Sequence, residues 1–256
     1  MDILQALILG VIEGITEFLP ISSTGHLILA GELLNIPATD FQKSFDIIIQ
    51  LGAILSVIVL YWKTLWNIAT IKKLIVAFIP TGVIGLALYG VVKTYLLGNQ
   101  HVVLWSLLLG GIALIFFELW HKEEDAATAD IANISYKQAA LIGVFQSLAI
   151  IPGLSRSAST IVGGLLLGLR RTTIVEFSFL LAVPTMLAAS GLDLIKNASS
   201  FSTDQFGVLA VGFVTSFIVA IFSIKFLLNY IRKHNFIPFG IYRIIAALLF
   251  WMLIIL

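Results

Sequence analysis

Residues 13–26 read EGITEFLPISSTGH. Glu13 and Glu17 stand four apart, on one face of a helix. Two carboxylates this close repel unless a proton or a cation lies between them, which suits acid–base chemistry or a divalent metal. A plainer reading is a pair of interfacial glutamates near a helix end, but the pair lies deep in an apolar segment. Ionisable residues at such depth usually face a protein-lined cavity. Ser22, Ser23 and Thr24 come next. Serine is a favoured N-cap, yet capping needs only one of the three. The helix that they start presents backbone donors and a positive dipole end, a natural anion site. His26 follows within one turn, beside hydroxyls and carboxylates, as a candidate for proton transfer.

A second stretch, residues 152–160, reads PGLSRSAST and brings Ser155, Arg156, Ser157, Ser159 and Thr160. A guanidinium at membrane depth needs an anion, and its planar fork matches phosphate oxygens. An ion pair with Glu13 or Glu17 is the structural alternative, and it could also organise an empty site. Together the two stretches hold carboxylates, a hydroxyl nucleophile, a histidine, an arginine and two helix starts. Phosphoryl transfer uses that set. No GxxxxGK[ST] loop is present, so nucleotide hydrolysis is not expected. A phosphate bound inside a bilayer implies a substrate with a lipid tail. Glu176, Arg243, Asp46 and Gln50 are weaker candidates: Glu176 could simply pair at the interface, Arg243 could snorkel or contact the site, and Asp46 and Gln50, four apart, could line the cavity.

The elements that position these residues are membrane elements. Of the 256 residues, 59% are hydrophobic and 11% charged. Soluble domains are nearer about 45–50% and about 25%. Long apolar runs such as 45–61 do not alternate as barrel strands do, so the fold class is an all-α polytopic membrane protein. The net charge of +1 says nothing about nucleic acid, but no basic stretch beyond Lys72-Lys73 and Arg170-Arg171 exists, so no nucleic-acid partner is expected; the absence of cysteine excludes thiol and iron–sulfur chemistry. The N-terminus lacks a basic n-region and is expected to be mature sequence, not a signal peptide.

Six stretches are long enough to span: 45–62, 74–97, 102–120, 173–195, 206–230 and 236–256. Two more apolar regions, 3–36 and 138–169, are broken at 20–25 and 152–157 by Pro, Gly and Ser. Each half of them is too short to cross, which predicts re-entrant helix hairpins. A shift of 133 residues aligns Gly10 with Gly143, Glu13 with Gln146 and Ser22 with Ser155, and seven of 26 positions match. The prediction is an inverted-topology repeat, each half a hairpin plus three transmembrane helices. The single membrane domain, 1–256, then divides into about 1–120 and about 134–256, joined by a polar linker at about 121–133. One face would carry Lys63, Lys72, Lys73, Lys122, Lys137, Arg170, Arg171, Arg232 and Lys233. The other would hold little beyond Lys43, Lys93 and Lys196. The positive-inside rule makes the first face cytoplasmic and puts both termini and the site opening outside.

EGITEFLPISSTGH resembles the first signature of the undecaprenyl pyrophosphate phosphatases, the bacitracin-resistance family. PGLSRSAST resembles the second, PGxSRSGxT, with Ala158 where the family usually has glycine. FDIIIQLGAIL, EFSFLLAVP and FIPFGIYR are similar to further family blocks in the same order. The resemblance implies hydrolysis of undecaprenyl pyrophosphate to undecaprenyl phosphate and inorganic phosphate. That reaction recycles the cell-wall lipid carrier in the bacterial inner membrane. It also implies a divalent cation, Mg2+ or Ca2+, with Glu13 and Glu17 as ligands or acid–base groups. Ser23 would be the nucleophile, with Glu17 and His26 activating it. Arg156 would hold the pyrophosphate, in a pocket lined by Ser155, Ser157, Thr160, Ser22 and Thr24. The partners implied are the polyprenyl pyrophosphate and membrane lipids, and a homo-oligomer is compatible. The alternative is a lipid-phosphate transporter or flippase, which would need Arg156 and the helix starts but no paired glutamates beside Ser and His.

Overall fold

The computed structural model describes residues 1–37, 39–96, 99–123, 127–197 and 205–254. Residues 124–126 of the predicted linker lie outside the described residues, as do the side chains of Lys93 and Lys196. The described residues form eleven α-helices: α1 Ile3–Thr16, α2 Ser23–Leu33, α3 Asp40–Leu60, α4 Trp62–Leu65, α5 Ile68–Val91, α6 Gln100–Trp120, α7 Tyr136–Gln146, α8 Arg156–Leu166, α9 Arg171–Asn197, α10 Phe206–Ile231 and α11 Ile237–Ile254. Five of them, α3, α5, α6, α9 and α10, are long and apolar enough to cross a membrane. The sixth predicted span corresponds to α11, whose apolar stretch Ile237–Leu253 is shorter; residues 255–256 of that prediction lie outside the described residues. The chain is a multi-pass helical membrane protein.

Both predicted breaks are present and begin earlier than the sequence places them. Pro20 has no N–H to give the carbonyl of Thr16, so α1 stops at Thr16 and residues 17–21 turn. Glu17 therefore sits in the turn, although its N–H still reaches the Glu13 carbonyl at 2.9 Å. Pro152 acts likewise on the second break. There α7 ends at Gln146 and a 3-10 turn, Ser147–Ile150, follows.

The offset of 133 residues reappears in hydrogen bonds. Asp2 and Gln5 form a capping box at the start of α1, and Ser135 and Gln138 form one at the start of α7. Gln5 Nε2 donates to the Leu34 carbonyl at 3.2 Å, and Gln138 Nε2 donates to the Leu167 carbonyl at 3.0 Å. Ser22 caps α2 and Ser155 caps α8, each through Oγ to the amide three residues on. Both serines have left-handed backbone, φ 73° and 77°. That conformation is rare outside glycine and persists only where the surroundings enforce it.

The halves interlock. Helix α1 lies against α10, while α7 lies against α5; α3 packs on α9 and α10, and α6 on α11. Small residues permit the close crossings. A Cβ on Gly10 would come within 2.8 Å of the Gly212 carbonyl oxygen, and one on Gly143 would overlap the Ala77 carbonyl. Outward faces stay apolar: Leu86, Phe116 and Phe222 are among the large exposed side chains.

Gly143→Ala is therefore expected to cost about 1–3 kcal/mol through overpacking, lowering the detergent melting midpoint by a few degrees. Gly31→Ala, with nothing within 4 Å of its added methyl, should leave the midpoint in place. Equal midpoints would contradict the close α5–α7 crossing.

Candidate active site

The two breaks meet at one carboxylate. Ser23 is the first residue of α2, and its Oγ donates to Oε2 of Glu17 at 2.5 Å. Arg156 is the first residue of α8, and its Nη2 donates to Oε1 of Glu17 at 3.1 Å. Glu17 thus accepts a hydroxyl from its own break and a guanidinium from the other. All three side chains are nearly enclosed. A charge pair removed from water is tolerable only when its remaining lone pairs and protons are also satisfied. Arg156 Nη1 accordingly donates to the Ser178 carbonyl at 2.9 Å, with the Ser178 hydroxyl at 3.4 Å.

A cavity of about 280 Å³ opens against this cluster. Glu17, Ser22, Ser23, Thr24, Ser155 and Arg156 line one part of it. Thr81, Gln146, Thr185 and the apolar Ile150 and Ile151 are among the residues that line the rest. The starts of α2 and α8 both face it, so two sets of free backbone N–H groups accompany the guanidinium.

The other sequence candidates fall in different places. Glu13 is fully buried, and neither carboxylate oxygen has a hydrogen-bond partner among the described residues. Glu17, Asp46 and Arg156 act on it electrostatically. His26 is buried but does not line the cavity: its Nδ1 lies 2.7 Å from the Ser22 carbonyl oxygen and its Nε2 2.8 Å from the Tyr242 hydroxyl. Because the carbonyl can only accept, Nδ1 carries a proton; in the neutral ring Nε2 then accepts from the Tyr242 hydroxyl. Ser157 turns to the first break and donates to the Phe18 carbonyl at 2.8 Å. Ser159 donates to the Ser155 carbonyl at 2.9 Å. Thr160 is enclosed, 2.6 Å from the Ser178 hydroxyl that steadies Arg156. Asp46 accepts from Gln42 at 2.8 Å, and neither it nor Gln50 lines the cavity. Glu176 lines a different cavity, with Lys63 and Asp130. Ala158 does not line this cavity; it lines a separate, mostly apolar one with Leu154 and Val162.

Oxygen donors suit Mg2+ or Ca2+, and the two free oxygens of Glu13 beside Glu17 provide them. Among the described residues no group of three or more His, Cys, Asp or Glu side chains could hold a metal ion. A cation here would need oxygens from its substrate as well, which is the usual arrangement for Mg2+ with phosphates.

Arg243, left open by its place in the sequence, is wholly enclosed and acts as a clamp. It donates to the carbonyls of Pro20 at 3.4 Å, Gly153 at 3.1 Å and Leu154 at 3.1 Å, which belong to the two breaks. It also reaches the α6 carbonyls of Ser106 at 2.9 Å and Leu107 at 3.4 Å. Its location two turns into an apolar helix carries no signal of those partners. Ser178, Gln146 and Tyr242 were likewise missed. Only Gln146 had a clue, its alignment with Glu13 at the 133-residue offset. Lysine at position 243 keeps the charge but has three donors at one point. Arg243→Lys is expected to leave buried carbonyls unmet at about 1–3 kcal/mol and to lower both the melting midpoint and turnover. An unchanged midpoint would contradict the clamp.

The chain is similar to known proteins along nearly its whole length. The profile of the family described as bacitracin resistance protein BacA matches residues 6–249. A protein of Sulfurihydrogenibium sp. (strain YO3AOP1), named undecaprenyl-diphosphatase, is 52% identical over 252 residues, 98% of this chain and 99% of that protein. One of the same name from Aquifex aeolicus is 52% identical over 247 residues, 96% of each chain. Another from Methanococcus aeolicus is 46% identical over 253 residues, 98% of each. The chain belongs to the bacitracin resistance protein BacA family.

Proposed function

We propose that the chain is a membrane phosphatase that hydrolyses undecaprenyl pyrophosphate to undecaprenyl phosphate and inorganic phosphate. The observation that carries this reading is the 2.5 Å bond from Ser23 Oγ to a carboxylate that also holds Arg156. A transporter site has no use for a hydroxyl poised on a base. The relatives' names supply the substrate class.

In the proposed reaction Ser23 Oγ attacks the terminal phosphorus and its proton passes to Glu17. The bridging P–O bond breaks, and undecaprenyl phosphate leaves with the bond's electron pair. Protonation removes the negative charge of Glu17, which frees Arg156 to face the phosphoryl oxygens as their charge develops. The N–H groups at the starts of α2 and α8, with Ser22, Thr24 and Ser155 at the rim, hold the remaining oxygens. Water then cleaves the Ser23–phosphate bond and the proton returns to Ser23. Glu13, whose oxygens have no partner, is the residue that would hold a divalent cation together with substrate oxygens, with Glu17 joining it only while ionised; the cation would supply neutralisation of the pyrophosphate charge. Thr160 and Ser157 serve from behind, one through Ser178 and the other through the Phe18 carbonyl. We assign His26 to positioning: its bond to the Ser22 carbonyl steadies the left-handed cap beside Ser23.

The inverted-topology repeat belongs to the same proposal. The paired caps, the paired Gln5 and Gln138 bonds and the crossed packing of α1 on α10 and α7 on α5 support it. With the Lys and Arg bias it gives hairpins that enter and return, both termini outside and a site open to the outer leaflet.

The test is phosphate release from undecaprenyl pyrophosphate by the purified chain in detergent. The wild type is expected to turn over, and Ser23→Ala to lose about 10³-fold or more in kcat with substrate binding kept. Wild-type turnover in Ser23→Ala would overturn the site assignment.

A further inference from the structure

Gln146 ends α7, is 1% exposed and lines the cavity that holds Ser23, Glu17 and Arg156. Its amide nitrogen donates to Oγ1 of Thr81 at 2.9 Å and of Thr185 at 3.1 Å. Both threonines line the same cavity. Each spends its own hydroxyl proton on a helix carbonyl, Thr81 on Gly143 at 2.8 Å and Thr185 on Leu181 at 2.8 Å. Toward Gln146 both threonine oxygens can therefore only accept. A reversed amide would set acceptor against acceptor twice, so the hydrogen-bond network fixes its orientation.

That orientation leaves Oε1 as the free end. It has no hydrogen-bond partner among the described residues, and a buried acceptor left unmet is costly. Among the buried side-chain atoms of the described residues that line the cavity, one complementary atom is unmet, Nε–H of Arg156, a donor. A phosphate oxygen can satisfy Arg156 but not Gln146, because both would be acceptors. A group that can donate to Gln146 and sit beside a phosphate is a water molecule. Water is also the second substrate of the proposed reaction.

We propose that Gln146 holds the hydrolytic water, and that Thr81 and Thr185 are positioning residues that keep its amide the right way round. This rests on the phosphatase reading above. Without substrate the water accepts from Arg156 Nε and donates to Gln146 Oε1. With pyrophosphate bound, a phosphate oxygen takes the arginine donor and the water stays on Gln146, next to the phosphorus. Once undecaprenyl phosphate has left, the water oxygen forms the new P–O bond as the bond from phosphorus to Ser23 Oγ breaks. One water proton remains on the new phosphate, and the other passes through Glu17 to Ser23 Oγ.

The experiment is turnover of undecaprenyl pyrophosphate in detergent with methanol present, scoring inorganic phosphate against methyl phosphate. Gln146→Met keeps the size and removes the acceptor. It is expected to lower kcat by about 10–100-fold with KM within about threefold. Its methyl phosphate share should rise, because the methyl group of methanol fits the enclosed position less well than water does and methanol therefore loses less when the site is removed. The Thr81→Val/Thr185→Val double variant, which frees the amide but keeps it, should move both quantities the same way and less. An unchanged product ratio in Gln146→Met overturns the assignment, whether kcat stays or falls, since a merely structural role would slow both acceptors alike. A change confined to KM overturns it too, by making Gln146 a substrate-binding residue. Absence of any phosphate from the wild type would instead remove the phosphatase reading, and this assignment with it.

Discussion

One buried carboxylate organises this protein. Glu17 is 7% exposed and sits where an unpaired charge would cost several kcal/mol. Its two oxygens draw a hydroxyl from residue 23 and a guanidinium from residue 156, so two breaks far apart in the chain must meet. The rest of the arrangement follows from that demand. Pro20 ends α1 early enough to leave Glu17 in the turn, and the left-handed caps at Ser22 and Ser155 aim α2 and α8 at the same space. Arg243 then answers the carbonyls that the breaks leave without helix partners. A cation solvated by carbonyl dipoles stabilises irregular backbone inside a membrane, where water cannot.

The recurring hydrogen bonds at the 133-residue offset give the site a simple logic. Two similar frames present different residues at equivalent positions. Ser23 and Arg156 both open a helix just after a left-handed serine cap, one as hydroxyl and the other as cation. Glu13 and Gln146 occupy matching places on α1 and α7, and both keep an unmet oxygen near the cavity residues. A carboxyl on one side and an amide on the other would let the same frame carry acid–base or metal work at Glu13 and water at Gln146.

Much of this was legible because chemistry at membrane depth is conspicuous. Charged and hydroxyl residues inside apolar runs marked both breaks, and Pro with Gly marked where helices stop. The five long helices were visible as apolar runs, although α11 falls short of its predicted span. What stayed hidden depended on contacts between distant segments. Nothing in FIPFGIYR tells that Arg243 would reach five carbonyls on three other segments. His26 looked like a base because of its sequence neighbours, yet its ring is held by Ser22 and by Tyr242, 216 residues away. Ser157 and Thr160 share a motif with Arg156, but helical geometry turns them from the cavity and into supporting roles. Sequence proximity identifies which residues travel together; the face of the helix decides which of them touch the ligand.

The central claim is that Glu17 and Arg156 form one unit across the two breaks. The most direct measurement is a double-mutant cycle of melting midpoints in detergent with Glu17→Gln, Arg156→Gln and both together. Each single change leaves one buried charge without its counterpart, at about 3–5 kcal/mol, while the double change removes both charges. The account predicts a double variant at least as stable as either single one. A double variant whose loss equals the sum of the two single losses would contradict it.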